Sequence, residues 1–345
     1  MCVGYITKVS LACLSFFFLF STSSFGQVFD SVPDITLQAT EFYKSSNQKE
    51  VKHKLVSPSA LVVASSGNVY VFDDGNSRIV KLDKNGRFLI EFGFPGSGNG
   101  QITRGGLNSS IAVDQSENVY VADAVNPKIQ IFDSNGSYLR SFRVPFAIDS
   151  IAVNKLGEIL VSVSSSKNIP LVYVFSNTGK FLRTLGERIV TTEGNLPKEI
   201  NRNVISVDAQ NNISICFRNW SLIRKYSRSG KLLGENSYKI PPSLVSESQR
   251  SNYKLEFISK YPNTSFVLPL LAHSISASEN GEEYVLLNGH SIVKSNLSAQ
   301  IIKQGSFQKS PIFRNAVFVR LATGTSGNFY LLDIKSSSIF KIASI

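Results

Sequence analysis

Cysteine is scarce in this chain: three occur in 345 residues, and Cys2 and Cys13 lie in a segment read below as a leader. That leaves Cys216 alone in the mature chain, which excludes an internal disulfide, and a large all-β core does not need one. Cys216 stands in the strand-like run Ile213-Ser214-Ile215-Cys216-Phe217 with no histidine close in sequence. That context fits an inert packed thiol, because a nucleophilic cysteine needs a neighbouring base. Histidine is equally sparse. His53, His273 and His290 form no His-x-His or His-Glu pair, which argues against a zinc site. A Gly-x-Ser-x-Gly elbow is missing, so a serine hydrolase has no support. Gly96-Ser97-Gly98-Asn99-Gly100 is rich in glycine, yet no strand-to-helix context surrounds it, as a phosphate-binding loop requires. Heptads and strand–helix alternation are also missing, which makes coiled-coil and doubly wound folds poor fits.

Acidic residues are in short supply too. Lys and Arg number 36 against 25 Asp and Glu, a formal charge of +11. The surplus points to acidic partners such as anionic glycans, phosphate-bearing envelope polymers or nucleic acid. The bland alternative is that a charge spread over so many residues only keeps the protein soluble.

Long apolar runs are confined to the N-terminus. Lys8 precedes the stretch Val9 to Phe20, and small polar residues then lead to Ser24-Phe25-Gly26. A charged start, an apolar centre and a small-residue exit make a secretory signal peptide, residues 1–26, with cleavage expected near Gly26. The apolar part is short for a membrane span, which needs roughly 20 residues. An uncleaved anchor and a lipid on Cys13 fit less well. Secretion or a periplasmic location follows, and it makes nucleic acid the least fitting partner. After cleavage no transmembrane helix is expected. Asn108, Asn135, Asn212, Asn219, Asn263 and Asn296 begin Asn-x-Ser sequons, which matter only where the source glycosylates exported proteins.

What the chain does have is internal repetition. GNVYVFDDGNSRIVKLDKNGRFLIEFG at 67–93 is answered by ENVYVADAVNPKIQIFDSNGSYLRSF at 117–142 and, less closely, by segments at 157–186, 211–234, 281–305 and 327–345. Each unit opens on a short apolar strand: Leu61-Val62-Val63, Ile111-Ala112-Val113, Ile151-Ala152-Val153 and Ile205-Ser206-Val207. A polar turn, a second strand, a loop and a third strand follow. Then comes a tight turn at Asn85-Gly86, Asn135-Gly136, Thr178-Gly179 or Ser229-Gly230, and a closing strand. Asn-Gly is a strong hairpin signal because both positions tolerate positive φ. Four-strand units repeating at this interval are the signature of propeller blades.

The first two units resemble NHL repeats, which build six-bladed propellers. The likeness is carried by Phe92-Gly93, Gly96, Gly98, Gly100-Gln101, Ala112-Val113-Asp114, Val119-Tyr120-Val121-Ala122-Asp123 and Ile129-Gln130-Ile131-Phe132-Asp133. Asn76 and Arg78 match the family's loop pair, whereas Pro127 and Lys128 replace it in the second unit. The resemblance implies an all-β, six-bladed β-propeller and carries no single activity. The last unit lacks a fourth strand before the chain ends. Tyr70 and Tyr120 are 50 residues apart; the same offset applied to Phe88–Phe92 lands on Gln38–Phe42, with Glu41-Phe42 falling on Glu91-Phe92. We therefore expect Ile35–Phe42 to supply the outer strand of the last blade and tie the ring shut. The propeller domain is then 27–345.

By the convention of the resembled fold, blade-to-blade loops and the loops between second and third strands share one face. The long connection 187–203 carries Arg188, Lys198 and Arg202, and the insertion 235–272 is longer, with helical spacing of Tyr253, Phe257 and Tyr261. Long loops on a rigid scaffold are where binding usually resides. The candidate ligand-binding residues on this face are Arg104, Arg188, Arg202, Arg218, Trp220, His290 and Arg314. Arg218-Asn219-Trp220 takes the place of Asp-Asp-Gly or Asp-Ala-Val in other units. A Trp beside an Arg can stack on a sugar or grip an acid; equally, the Trp can pack on the next blade. Asp73, Asp123 and Asp333 recur at one blade position and read as acceptors for loop amides; a calcium role would need oxygens converging on the axis. The expected function is a binding scaffold for an envelope or extracellular protein or an anionic glycan, monomeric, without catalytic residues, metal or cofactor. The alternative is a metal-dependent lactonase or hydrolase at the tunnel mouth, with calcium held by residues such as Asn154, Asp208, Glu279 and Asn280.

Overall fold

The computed structural model describes residues 35–36, 39–49, 53–103, 110–123, 125–163, 169–190, 196–237, 272–287, 291–295, 301–306 and 316–343. The leader, most of the 235–272 insertion, Arg104, His290 and Arg314 therefore lie outside the described residues.

The chain folds as an all-β propeller. Sheet I comprises Pro58–Val63, Val69–Asp73, Arg78–Leu82 and Phe88–Phe92; sheet II comprises Ser110–Val113, Val119–Asp123, Lys128–Phe132 and Tyr138–Arg143. Sheet III comprises Ile148–Val153, Ile159–Val163, Val172–Phe175 and Phe181–Leu185; sheet IV comprises Asn203–Val207, Ile213–Phe217, Leu222–Tyr226 and Leu232–Ser237. Sheet V is built on Ala272–Ala277, Glu283–Leu287, Ser291–Ser295 and Ile301–Ser306, and sheet VI on Phe318–Thr323, Phe329–Asp333 and Ser338–Ile342. Within each sheet these strands pair antiparallel in sequence order. The first strands stand side by side around a central channel, and that of sheet VI packs against that of sheet I.

Sheets stacked face to face explain why the strands read as they do. In Val69–Asp73, Val119–Asp123 and Ile213–Phe217 every residue is buried, because both faces meet a neighbouring sheet and no polar alternation is needed. The outer strand Phe88–Phe92 alternates, since one face meets solvent. Apolar clusters fill the gaps between sheets. One joins Tyr70, Phe72 and Ile79 of sheet I to Ile111, Val119 and Phe132 of sheet II; another joins Leu160 and Val174 of sheet III to Ile213, Phe217 and Tyr226 of sheet IV.

The expected N-terminal strand needs correction. Ala39–Lys44 pairs antiparallel with Ser338–Ile342, with Glu41 opposite Phe340. Ile35–Thr36, expected in the same strand, instead pairs parallel with the outer strand of sheet V, which thus has five strands while sheets I to IV and VI have four each. The segment therefore touches two sheet edges in succession. The offset of the repeats located Glu41 opposite the third strand as Glu91 is in sheet I, but a bulge at Phe42 puts Tyr43 where Phe92 was expected to be matched, and the offset carried no information about residues that no other unit possesses.

Among the described residues no helix is long and apolar enough to cross a membrane. Cys216 is fully buried within sheet IV, as a packed thiol should be.

Candidate site at the channel mouth

A cavity of about 250 Å³ runs between the first strands of all the sheets. Its walls are largely aliphatic: Leu61, Val62, Ile111, Ile151, Ile205, Ile275 and Leu321. Serines link the strands around it. The Ile151 N–H donates to Ser110 Oγ at 3.2 Å, the Ile205 N–H to Ser150 Oγ at 3.4 Å and the Leu321 N–H to Ser274 Oγ at 3.2 Å, so each serine reaches into the next sheet. Adjacent first strands exchange no ladder hydrogen bonds, and these hydroxyls satisfy amides that would otherwise be buried without partners.

Polar groups gather at the end where the first strands begin. Asp149 and His273 are each the extra residue of a β-bulge, between Ile148 and Ser150 and between Ala272 and Ser274. Arg320 follows a bulge between Phe318 and itself. Bulges re-aim side chains, and all three of these residues line the channel. Arg320 is held by its own strand and its neighbour, donating through Nη1 to the carbonyls of His273 at 3.3 Å and Val319 at 3.1 Å. Arg218 follows the second strand of sheet IV; its N–H donates to the Arg202 carbonyl at 2.7 Å, and its carbonyl accepts from the Ala272 N–H at 3.0 Å. Buried Asn203 donates its N–H to Asp149 at 3.4 Å and its side-chain amide to the Val163 and Asn201 carbonyls. Arg202 pairs with Glu199 at 3.7 Å, and Glu199 also accepts from Asn219 Nδ2 at 3.2 Å.

Electrostatically this is a basic arc, with guanidiniums from sheets IV and VI and the Asp149 carboxylate of sheet III near them. Burial lowers the Arg218 pKa, Arg202 lowers it further, and Asp149 pulls it back up. Burial and then Arg218 push Arg320 down to about 9. A pKa of about 9 still leaves the Arg320 guanidinium charged at neutral pH. An arrangement of this kind attracts anions.

The predicted residues fall on this face in part. Arg202 and Arg218 belong to the arc. Arg188 is half-buried and shifted down by burial, beside Ile189, whose N–H and carbonyl are both held by the Asn201 side chain at 2.9 Å. Trp220 packs against the apolar cluster between sheets III and IV and is only partly exposed, so its ring is a wall of the core before it is a ligand platform. The register also moves the Arg-Asn-Trp segment by one. Asn203 lies opposite Phe217 as Pro58 lies opposite Asp73, so Phe217 occupies the recurring Asp position and Arg218 follows it. Val163 and Leu287 occupy it in sheets III and V. The recurring carboxylate is thus replaced by an apolar residue in three successive sheets of the basic arc. Sequence reasoning missed Asp149 and Arg320 altogether and weighed His273 only as a metal ligand.

Most of the oxygen-bearing residues weighed for a metal are engaged elsewhere. Asp73 accepts from the Val56 N–H at 2.6 Å, Asp123 from the Thr103 N–H at 3.3 Å and Asp333 from the Val317 N–H at 2.8 Å, all loop amides leading into a first strand. Asn154 and Asp208 cap turns at the opposite end of the first strands, each accepting from amides two and four residues ahead. Asp208 also pairs with buried Lys225 at 3.0 Å. Glu279 and Asn280 are exposed on the turn after Ala272–Ala277. Among the described residues no three His, Cys, Asp or Glu side chains converge to hold a metal ion.

Fold and channel define a β-propeller with a basic mouth. No protein-family model matches the chain, and no curated protein matches it. Solved structures are similar at the level of fold. A Bacteroides fragilis protein designated as exported has a TM-score of 0.57 at 15% identity, covering 91% of this chain and 96% of that one. A Bacteroides thetaiotaomicron protein of unknown function has a TM-score of 0.54 at 12% identity, covering 88% and 75%. A Staphylococcus aureus virginiamycin B lyase has a TM-score of 0.52 at 14% identity, covering 90% and 99%.

Proposed function

We propose that this protein is an exported, NHL-like six-bladed propeller that serves as a binding scaffold for an acidic partner, an envelope or extracellular protein or an anionic glycan, engaged at the loop-rich face. Six repeat units, the packing of sheet VI on sheet I, and the pairing of Ala39–Lys44 with Ser338–Ile342 support the blade count and a ring tied by its N-terminal strand. The leader-like start supports export.

One observation carries the binding reading: Arg202 and Arg218 of sheet IV and Arg320 of sheet VI sit towards the end where the first strands begin, close enough for Arg202 to lower the Arg218 pKa and Arg218 that of Arg320, while carboxylates of the opposite face are consumed in pairs such as Arg183–Glu158 and Lys225–Asp208. Guanidiniums clustered beside a concave opening concentrate anionic ligands and speed their arrival. The test is retention of the mature protein on an immobilised polyuronate, eluted with a salt gradient. Wild type is retained, and the double variant Arg202→Ala/Arg218→Gln, checked by circular dichroism for an intact fold, elutes at lower salt. An unchanged elution position would remove the loop-rich face from binding.

A further inference from the structure

We propose that the hairpin tips of sheets III and IV form a docking surface for an anionic phospholipid bilayer, with apolar side chains entering the interface and lysines resting on the headgroups. This surface lies at the end of the sheets away from the channel mouth, so it is separate from the acidic-partner reading above.

Register places the surface. Val153 lies opposite Ile159, Ile159 opposite Phe175 and Phe175 opposite Phe181, so the turn after the first strand and the tip between the third and fourth strands share one end of sheet III. Sheet IV repeats this with Val207, Ile213, Tyr226 and Leu232. The two sheet ends are tied together. The Glu158 carboxylate of sheet III takes Arg228 of the sheet IV tip at 2.6 Å and Arg183 at 2.8 Å. Arg183 Nε donates to the Arg228 carbonyl at 3.2 Å, and the Lys155 N–H donates to Asn211 Oδ1 at 3.0 Å. The surface is therefore pre-formed.

Three features coincide at these tips. In sheets I and II an aspartate caps the tip: Asp83 accepts from the Asn85 and Arg87 amides, and Asp133 from those of Asn135 and Ser137. In sheets III and IV a serine hydroxyl takes that role, Ser176 for Thr178 and Lys180 and Ser227 for Lys231. The turn is kept and the acid is removed. The residue after the tip glycine is an exposed lysine in both, Lys180 and Lys231, and Lys155 on the neighbouring turn is exposed as well. The outer strands then open on two exposed apolar residues, Phe181-Leu182 and Leu232-Leu233, whereas Phe88 and Tyr138 of sheets I and II are half-buried. Those four and Leu156 are each between 42% and 59% exposed. Clustered exposed apolar side chains mark contact with a partner or a membrane. Here they sit on projecting turns beside lysines. That pattern seats a surface in the headgroup layer, with side chains in the acyl boundary and ammonium groups on lipid phosphates. A protein partner would have to match the shape of separate tips, whereas a fluid bilayer adapts to them.

Co-sedimentation of the full mature chain with lipid vesicles tests this. Vesicles of phosphatidylcholine and phosphatidylglycerol in equal parts should carry the protein down, and vesicles of phosphatidylcholine alone should not. Lys180→Gln/Lys231→Gln should weaken the partition roughly tenfold to thirtyfold, at about fivefold per lysine on an anionic surface. Phe181→Ser/Leu232→Ser should weaken it roughly tenfold at unchanged charge. If that pair fails to fold, Leu232→Cys labelled with a polarity-sensitive fluorophore decides, because Cys216 is fully buried. Its emission should shift to the blue on the anionic vesicles. Equal partition to both vesicles, no effect of the folded apolar pair, or unshifted emission would overturn the proposal. The Arg202→Ala/Arg218→Gln variant should sediment as wild type does, and its loss of vesicle binding would take the surface away from the tips. Retention on polyuronate without vesicle binding sinks the bilayer as occupant, leaves an acidic protein in its place and does not touch the scaffold reading.

Discussion

Glu117 occupies a backbone position that glycine holds in four of the other units. The turn after each first strand needs a left-handed residue, supplied by Gly67, Gly157, Gly281 and Gly327 and, with a side chain, by Asn211 at φ 63° and Glu117 at φ 58°. The cost of that conformation is offset at Glu117 by what its carboxylate reaches across the gap between sheets I and II. It accepts from Tyr70 Oη at 2.6 Å and Asn68 Nδ2 at 3.2 Å and pairs with Lys81 at 3.1 Å. Burial alone would raise its pKa, but donors from Ser66, Tyr70, Asn68 and Lys81 outweigh it and bring it down to about 2. A folded pKa below the unfolded value of 4.5 stabilises the protein above that unfolded value, and the contribution is lost as pH falls towards 2. Glu117→Gln should therefore lower the melting temperature at pH 7 and flatten its decline between pH 4.5 and 2; an unchanged acid slope would show that the pair contributes nothing. Lys225 is a deeper case, fully buried between Asp208 at 3.0 Å and Glu283 at 2.8 Å, with Ser214 also donating to Glu283. Lys225→Met removes the ammonium shared by two buried carboxylates and should cost about 3–5 kcal/mol in urea denaturation. Which residues carry such duties was unevenly legible. The recurring Asp73, Asp123 and Asp333 were readable as loop clamps because repetition marks structure. Asp149 and Arg320 were not, because bulges displace them from simple strand alternation and no other unit repeats them.

Elements interlock through the same tight turns that made the repeat visible. A Cβ on Gly136 would lie 2.6 Å from Phe92, and one on Gly179 2.6 Å from Phe142, so each hairpin tip nests on the outer-strand aromatic of the preceding sheet. Gly86 also approaches the outer strand of the preceding sheet, but there a Cβ would meet backbone, 2.1 Å from the Phe42 carbonyl oxygen. The N-terminal strand thus lies directly under the hairpin tip of sheet I, through its backbone at the bulge instead of an aromatic ring. Tyr43 anchors it: the ring is 3% exposed, packs with Leu61, Val69 and Leu332, and its hydroxyl donates to the His53 carbonyl. Tyr43→Ala should cost about 3–5 kcal/mol, as expected for emptying a buried aromatic site, and removing residues 27–45 should lower the melting temperature of the whole domain. Melting unchanged by either would mean that the strand decorates the last sheet without supporting it. The offset between repeats revealed this pairing because hairpin spacing is set by local turn chemistry. It was silent on the short helix Leu196–Ile200 within the 187–203 connection, where no repeat exists and only a few residues favour a helical turn.

At the scale of the whole molecule, polarity is divided between the two faces of the ring. Towards the turns after the first strands, acids are held in ion pairs: Glu158 takes Arg183 at 2.8 Å and Arg228 at 2.6 Å from the neighbouring sheet, and Lys294 pairs with Glu282 at 2.9 Å. Towards the channel mouth, the recurring Asp gives way to Val163, Phe217 and Leu287 in three successive sheets, and Arg218 acts on the charge of Arg320 there. This division bears on the enzyme alternative more directly than the fold does, because propellers host many chemistries. A calcium ion needs six to eight oxygens, and the recurring carboxylates already accept backbone amides or face lysine. A cation placed at the mouth would meet two guanidiniums. Dialysis of the mature protein against a chelator should therefore leave both its melting temperature and its retention on polyuronate unchanged, with less than stoichiometric calcium or zinc by elemental analysis beforehand. One tightly held divalent ion per chain, with melting lowered on its removal, would instead require oxygens converging on the axis and would shift the weight from a scaffold towards a metal-dependent hydrolase.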